Sequence, residues 1–324
     1  TSWKMAGNTR IDAMLGEIIK ETRPRAPSLI VTVLGDSIAP RGGSFWIGSL
    51  IALMAPFGIN ERLVRTSTFR LTKEDWLTSI QIGRRSYYSL TPTSLRRFAE
   101  AFHRVYDYRS AHWDGNWTLL LIDPAGLTQE ERDRIRQNLG WLGFGMAAPS
   151  IFAHTAIPTE ELRRKLDDLG LTQRAVVMDA RLHSLSRDLF SHDDGTAAFV
   201  RRFWDLEKLA ADYGRFLELF RPLWQALRDN DSVTPEQAFR ARTLLIHEFR
   251  RITLRDPQLP EALLPPHWEG TAARLLTRNL YRALDARTES YLKAAVETAD
   301  GPLSGPGPDY YERFGGIRAD TAIS

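Results

Sequence analysis

The stretch from Ile59 to Thr91 constrains this chain more than any other. Asn60 is a helix-capping residue. Val64, Thr68 and Leu71 follow at i, i+4 and i+7 with Ser67 beside them, which predicts a helix with one inward face. Arg62, Arg65, Thr66, Phe69 and Arg70 fall on the other side. Trp76 and Leu77 close the helical pattern, and the β-branched run from Thr78 to Ile82 predicts a strand. Gly83-Arg84 is a tight-turn signal, and Ser86 to Leu90 predicts the returning strand. A helix with outward arginines followed by a basic hairpin is the pattern of a winged helix-turn-helix. There the helix enters the major groove while Arg84 and Arg85 meet phosphate or the minor groove. The same pattern also fits a helix and hairpin whose basic face is merely solvated, so the flanking sequence has to decide.

Upstream, Phe45 to Ala55 reads as a second helix ended by Pro56-Phe57-Gly58, which gives helix-turn-helix spacing. Leu29 to Leu34 is apolar and β-branched enough for a strand, but a third helix suits a winged unit and is the expectation. Residues 5–27 are mixed and close in Arg23-Pro24-Arg25-Ala26-Pro27, a linker or arm; Arg10, Lys20, Arg23 and Arg25 either follow a DNA backbone or are solvated. Downstream, Thr91-Pro92 starts a helix whose apolar stripe is Leu95, Phe98, Ala99, Phe102 and Tyr106. Charge sides with nucleic acid. Residues 1–110 hold 16 Lys and Arg against 9 Asp and Glu, whereas the remaining 214 hold 27 against 31.

From Asn116 the texture changes. Trp117 to Ile122 is a predicted strand, Thr128 to Leu142 a helix, Pro149 to Ile157 a strand, Pro158 to Leu169 a helix and Arg174 to Arg181 a strand. That alternation predicts a small ferredoxin-like α+β domain. The Gly140 to Gly145 stretch lacks the strand-to-helix context of a nucleotide loop and reads as turn and packing. From Thr196 to Glu297 the chain is almost wholly helical, interrupted by a proline-rich loop over 256–270. The Gly/Pro-rich end, from 301, reads as a flexible tail.

Several chemistries are excluded or weakened by the residues themselves. There is no cysteine, hence no disulfide, thiolate nucleophile or cysteine-bound metal. The longest apolar run, Phe45 to Gly58, is too short to cross a membrane, and no export signal pattern opens the chain, which predicts a cytoplasmic location. Gly35-Asp36-Ser37 after an apolar run resembles the nucleophile segment of GDS-type esterases. None of the histidines at 103, 112, 154, 183, 192, 247 and 267 follows an aspartate at Asp-x-x-His spacing, so the tripeptide reads as a helix end and turn. His247-Glu248 would need a second histidine where Arg251 stands to make a zinc motif. A hydrogen-bonded network fixing the loop that follows is the expectation there. Asp123 at a strand end is the only acid placed to hold a metal in a nuclease-like middle domain.

Two segments carry a resemblance to a known family. Leu245 to Arg251, Leu254 to Pro257, Leu259-Pro260, Leu263 to Pro265 and Trp268 resemble the C-terminal domain of the PaaX family, repressors of phenylacetic acid catabolism. Val64-Arg65, Arg70-Leu71, Trp76-Leu77, Gly83 to Tyr88 and Leu90 to Pro92 resemble its DNA-binding domain, and the surroundings of Gly143 to Pro149 its middle domain. The resemblance implies an α+β multidomain protein. Its parts would be a winged helix-turn-helix over 28–106, a ferredoxin-like, Cas2-like middle domain over 107–190, an all-α domain over 191–300 and a tail over 301–324. It further implies a homodimer on palindromic double-stranded operator DNA, similar to GntR-type regulators and released by phenylacetyl-CoA or a related aryl-CoA. There would be no enzymatic cofactor and no metal. Arg65 and Arg70 are then expected at bases, Arg62, Thr66 and Ser44 at phosphates, and Arg84, Arg85 and Tyr87 on the wing. The competing expectation is a GDS-type serine esterase or CoA-thioester hydrolase using Ser37.

Overall fold

The structure is a computed structural model in which residues 2–107, 113–155, 157–182, 194–229 and 232–317 are described. His112, His183 and His192 lie outside them. The chain opens with α1 (Ser2–Thr22). Ile11, Leu15 and Ile18 recur at i, i+4 and i+7 and are all buried, so the mixed stretch before Arg23 is a packed helix, and residues 23–25 of the expected linker join it to the next one. In α2 (Ala26–Val33), Pro27 sits in the first turn, where its missing N–H has no helical partner to lose. The expected helix over 29–34 is present, and it continues as a π-helical turn, Leu34–Ile38.

Phe45 and Trp46, expected inside a helix, instead form β1 (Ser44–Trp46), and the helix proper is α3 (Ile47–Met54). A turn closed by Gly58 at φ 76° leads to α4 (Glu61–Lys73). The Asn60 side chain caps α4 by accepting from the Leu63 N–H at 3.0 Å. β2 (Leu77–Ile82) and β3 (Arg85–Leu90) pair in register from Leu77↔Leu90 to Ile82↔Arg85, leaving Gly83-Arg84 as the two-residue turn. β1 adds to the other side of β3, giving the order β1-β3-β2. In α5 (Pro92–Val105), Phe98 packs edge-on to Trp76, while Leu95 and Ala99 of the expected stripe are exposed.

The middle of the chain runs β4 (Asn116–Ile122), α6 (Gln129–Trp141), β5 (Gly145–Ala148), β6 (Ile151–His154), α7 (Thr159–Asp168) and β7 (Ala175–Arg181). All neighbouring strands are antiparallel in the order β5-β6-β4-β7, the ferredoxin-like arrangement that the alternation predicted. Leu120, Ile135, Leu139, Phe152, Leu162 and Leu166 form its core. The turn expected over 140–145 runs directly into β5, a four-residue strand. A Cβ on Gly145 would lie 2.5 Å from the Trp204 ring, so the glycine is required by packing.

The remainder is α8 (Asp194–Phe203), α9 (Leu206–Arg228), α10 (Pro235–Thr253), α11 (Glu269–Ala295), the hairpin β8 (Glu297–Thr298) and β9 (Gly301–Pro302), and α12 (Pro308–Tyr311). The tail expectation fails for residues 301–317: Leu303, Tyr310, Arg313 and Ile317 are buried. Packing also divides the chain along different lines from 28–106, 107–190 and 191–300. One compact unit comprises Thr1–Tyr108, Gly214–Arg251 and Thr271–Ser324, and the other Arg109–Tyr213 and Ile252–Gly270. Most of α10 and α11 thus shares a unit with the winged helix.

Candidate nucleic-acid interface

Val64, Ser67, Thr68 and Leu71 bury one side of α4, and Thr68 turns its hydroxyl back onto the Val64 carbonyl at 2.8 Å. The helix is therefore seated by its own inner face, and Arg62, Arg65, Thr66, Phe69, Arg70 and Lys73 are left exposed. Arg65 is paired with Glu61 at 2.8 Å and Arg70 with Glu74 at 2.6 Å, each one helical turn away. Hydrogen bonding and charge from Glu74 raise the Arg70 pKa. Such exposed pairs are weak and exchange readily for a phosphate or a guanine edge. Arg62 and Lys73 make no ion pair among the described residues. Lys73 was missed in the sequence, although it continues the 62, 66, 69 stripe by one more turn.

The wing divides its basic residues between two tasks. Arg84 occupies the turn and is exposed. Arg85 reaches Glu297 at 2.5 Å and lies over the Trp46 ring at 4.5 Å. A hydrogen bond with Tyr87, then the charge of Glu297, holds its pKa above the usual arginine value. Glu297 is itself placed by its N–H, which donates to Ser49 Oγ at 2.9 Å. Tyr87 is only 7 % exposed, opposite Trp46 and Ile80 in the sheet, and bonds with Arg85. Ser44 begins β1 opposite Ser89 and is half-buried.

Gly35-Asp36-Ser37 is the heart of a buried polar cluster. Asp36 accepts from the Tyr106 hydroxyl at 2.7 Å, the Tyr281 hydroxyl at 2.9 Å and Arg313 at 2.9 Å, and Arg242 Nε lies 3.1 Å from its second oxygen. That last contact is an ion pair without hydrogen-bond alignment. Burial by itself would raise the Asp36 pKa, but Arg242 and Arg313, helped by the two phenols, hold it below the ordinary value. Arg41 pairs with Glu289, and Tyr310 links Arg242 to Asp285. Gly35 lets the Phe98 ring approach, since a Cβ there would meet it at 2.6 Å. Ser37 is 1 % exposed; its carbonyl accepts from Arg41 and its Oγ from Arg242. The esterase expectation therefore loses access to its serine.

The other motifs resolve similarly. Asp123 accepts from the Ala125 N–H at 2.9 Å, a turn contact on an exposed loop. His247 shares a hydrogen bond with Thr32 Oγ at 2.8 Å, and Arg250 donates to the same oxygen and to Ser28. This network was expected to fix the loop after α10; the bonds named here run to α2. Burial, then Arg250 and Arg251, lowers the His247 pKa to about 3. Among the described residues no group of three or more His, Asp or Glu is placed to hold a metal. No helix there is long and apolar enough to cross a membrane.

Three family models cover this architecture in sequence. PaaX-like protein matches residues 25–94, PaaX protein central Cas2-like domain 110–190, and PaaX-like protein C-terminal domain 204–294. The chain is 37% identical over 314 residues to transcriptional repressor PaaX of Escherichia coli (strain K12), covering 96% of this chain and 97% of that one. Among solved structures, uncharacterized protein Rv0674 from Mycobacterium tuberculosis shares the fold with TM-score 0.50 at 22% identity, over 75% of this chain and 89% of that one. A winged helix-turn-helix, a ferredoxin-like middle domain and a helical remainder, matched in that order over nearly the whole length, make this chain a member of the PaaX family.

Proposed function

We propose that this protein is a homodimeric, cytoplasmic transcriptional repressor that binds operator DNA and is released by phenylacetyl-CoA or a related aryl-CoA, controlling phenylacetate degradation. The observation that carries the reading is the exposed cationic face of α4, presented by a helix-turn-helix with a basic wing behind it. The relative at 37% identity bears the name of a transcriptional repressor, which supports a regulator over an enzyme. Arg65 and Arg70 are assigned to base edges, Arg62, Thr66 and Ser44 to phosphates, and Arg84 and Arg85 to the backbone at the wing. Tyr87 supports Arg85 from within the sheet. A CoA thioester joins phosphates to an apolar acyl end, and it releases the protein only if it binds the DNA-incompetent dimer more tightly.

The test is fluorescence anisotropy on the promoter region of the neighbouring genes, with and without phenylacetyl-CoA, at two salt concentrations. Tight, salt-sensitive binding that the thioester reverses and free phenylacetate does not is the expected result. Unchanged affinity in Arg65→Ala/Arg70→Ala would overturn the role of α4; binding indifferent to the thioester would remove the effector.

A further inference from the structure

Phe69 has no place in the assignments above, yet at 62 % it is the most exposed large apolar side chain among the described residues. A lone exposed apolar residue is ordinary on a protein surface. Its setting here is not. Arg62, Arg65, Thr66 and Phe69 stand at i, i+3, i+4 and i+7 along α4. That spacing aligns them along one outer face of α4, the face that a helix lying in the major groove turns toward the DNA. The Lys73 ammonium lies 4.8 Å from the ring centroid and occupies one side of it. A partner covering Phe69 must therefore also meet Arg62, Arg65 and Lys73. An apolar protein surface would bury those charges, of which Arg62 and Lys73 have no ion pair among the described residues, at a cost exceeding what one ring returns. A polyanion with an apolar projection meets both needs, and the C5-methyl group of thymine in the major groove is such a projection.

Resting on the DNA-binding reading, we infer that Phe69 is a specificity residue that reads a thymine methyl group in each operator half-site. The arginines beside it then recognise guanine edges and phosphates, and the ring sets which pyrimidine is tolerated next to them.

The test starts from a duplex enriched by the full-length protein out of a random double-stranded library. Each thymine is then replaced in turn by deoxyuridine, which removes the methyl and leaves every hydrogen-bonding group. Affinity is read for the wild type, Phe69→Ala and Phe69→Leu. The wild type is expected to lose about four-fold at one or two positions per half-site, the fold-change of one buried methyl group. Phe69→Ala should bind about as tightly to the deoxyuridine duplex as to the thymine duplex, and Phe69→Leu should keep part of the discrimination. The melting temperature should be the same in all three, since the ring is not in the core.

Wild type indifferent to every replacement, or Phe69→Ala still discriminating at the same positions, overturns the inference and leaves the repressor standing. A changed oligomeric state in Phe69→Ala with thymine discrimination intact assigns the ring to a protein contact and overturns it as well. A library from which no duplex is enriched removes the repressor reading itself, and the inference with it.

Discussion

A carboxylate as deeply buried as Asp36 is tolerated because two guanidinium groups and two phenols converge on it. Replacing it with asparagine keeps an acceptor for the phenols but takes the facing carboxylate charge from Arg313 and leaves Arg242 to Asp285 and Glu289. Asp36→Asn is expected to lose about 3–5 kcal/mol in urea unfolding, the usual cost of breaking a buried pair. Ser37→Ala, which removes only a 3.4 Å contact with Arg242, should stay within about 1 kcal/mol of wild type and bind DNA unchanged. His247 makes a second prediction at this scale. Its folded pKa, about 3, lies below its unfolded value, so the unfolded chain takes up the proton first as pH falls. Stability from this group is complete above about pH 6.5 and drains away toward pH 3, by at most about 1.4 kcal/mol per pH unit. His247→Gln should flatten that part of the curve of melting temperature against pH; an unchanged slope would show that other groups set it. A hydrogen-bonded network at His247 was expected from the sequence, but the partners of Asp36 were not legible there. Arg313 is 277 positions from Asp36, so the tripeptide resembled a nucleophile segment only because its partners were out of sight. The burial of Tyr87 was hidden for a related reason: alternation shows that a strand has two faces, not which face a distant Glu297 and Trp46 will close.

At the scale of elements, long periodic segments with caps were readable and short ones were not. Asn60, the inward stripe of α4 and the Gly83-Arg84 turn announced the helix and hairpin, because a cap, a 3.6 period and a two-residue turn are all local signals. β1 has three residues and β5 four, too few to establish a period of two, so one was absorbed into a helix and the other into a turn. The end of the chain misled by composition: its glycines and prolines suggested looseness, yet they shape β9 and α12, which carry Leu303 and Tyr310 into the core. The Gly307 N–H donates to the Pro40 carbonyl and that of Phe314 to the Tyr106 carbonyl, so this segment is a strap over the winged unit. A chain ending at residue 302 is expected to melt roughly 5–10 °C lower, having lost Arg313 and its pairing with Asp36. Differential scanning calorimetry decides it, and an unchanged melting temperature would mean that the strap carries no stability. Glu297, just before the strap, has a separate effect. Glu297→Gln should tighten binding to any duplex by about two- to five-fold at low salt, because Arg85 then has no carboxylate to leave and the phosphates lose a repelling charge.

Over the whole molecule, charge is distributed by function. The positive excess lies in the first 110 residues, which build the helix and the wing, while the remaining 214 are slightly acidic. That asymmetry was visible in the sequence and survives folding, because the cations of α4 and the wing turn are exposed rather than drawn into the buried cluster. A linear chain does not show that most of α10 and α11 returns to the compact unit that holds α4. The consequence to measure is the dependence of affinity on salt. Each phosphate neutralised by a side chain contributes about 0.9 to the slope of log K against log salt concentration, and a symmetric dimer counts each contact twice. Arg62→Ala and Arg84→Ala should therefore each flatten the slope by roughly 1.8, weakening specific and non-specific duplexes alike. Arg65→Ala should behave differently, losing preference for the selected duplex over an unrelated one with a smaller change in slope. If all three variants changed only the slope, α4 would be a docking element and sequence would be read elsewhere. If Arg62→Ala and Arg84→Ala changed only the preference, the division between phosphate and base contacts would have to be reversed.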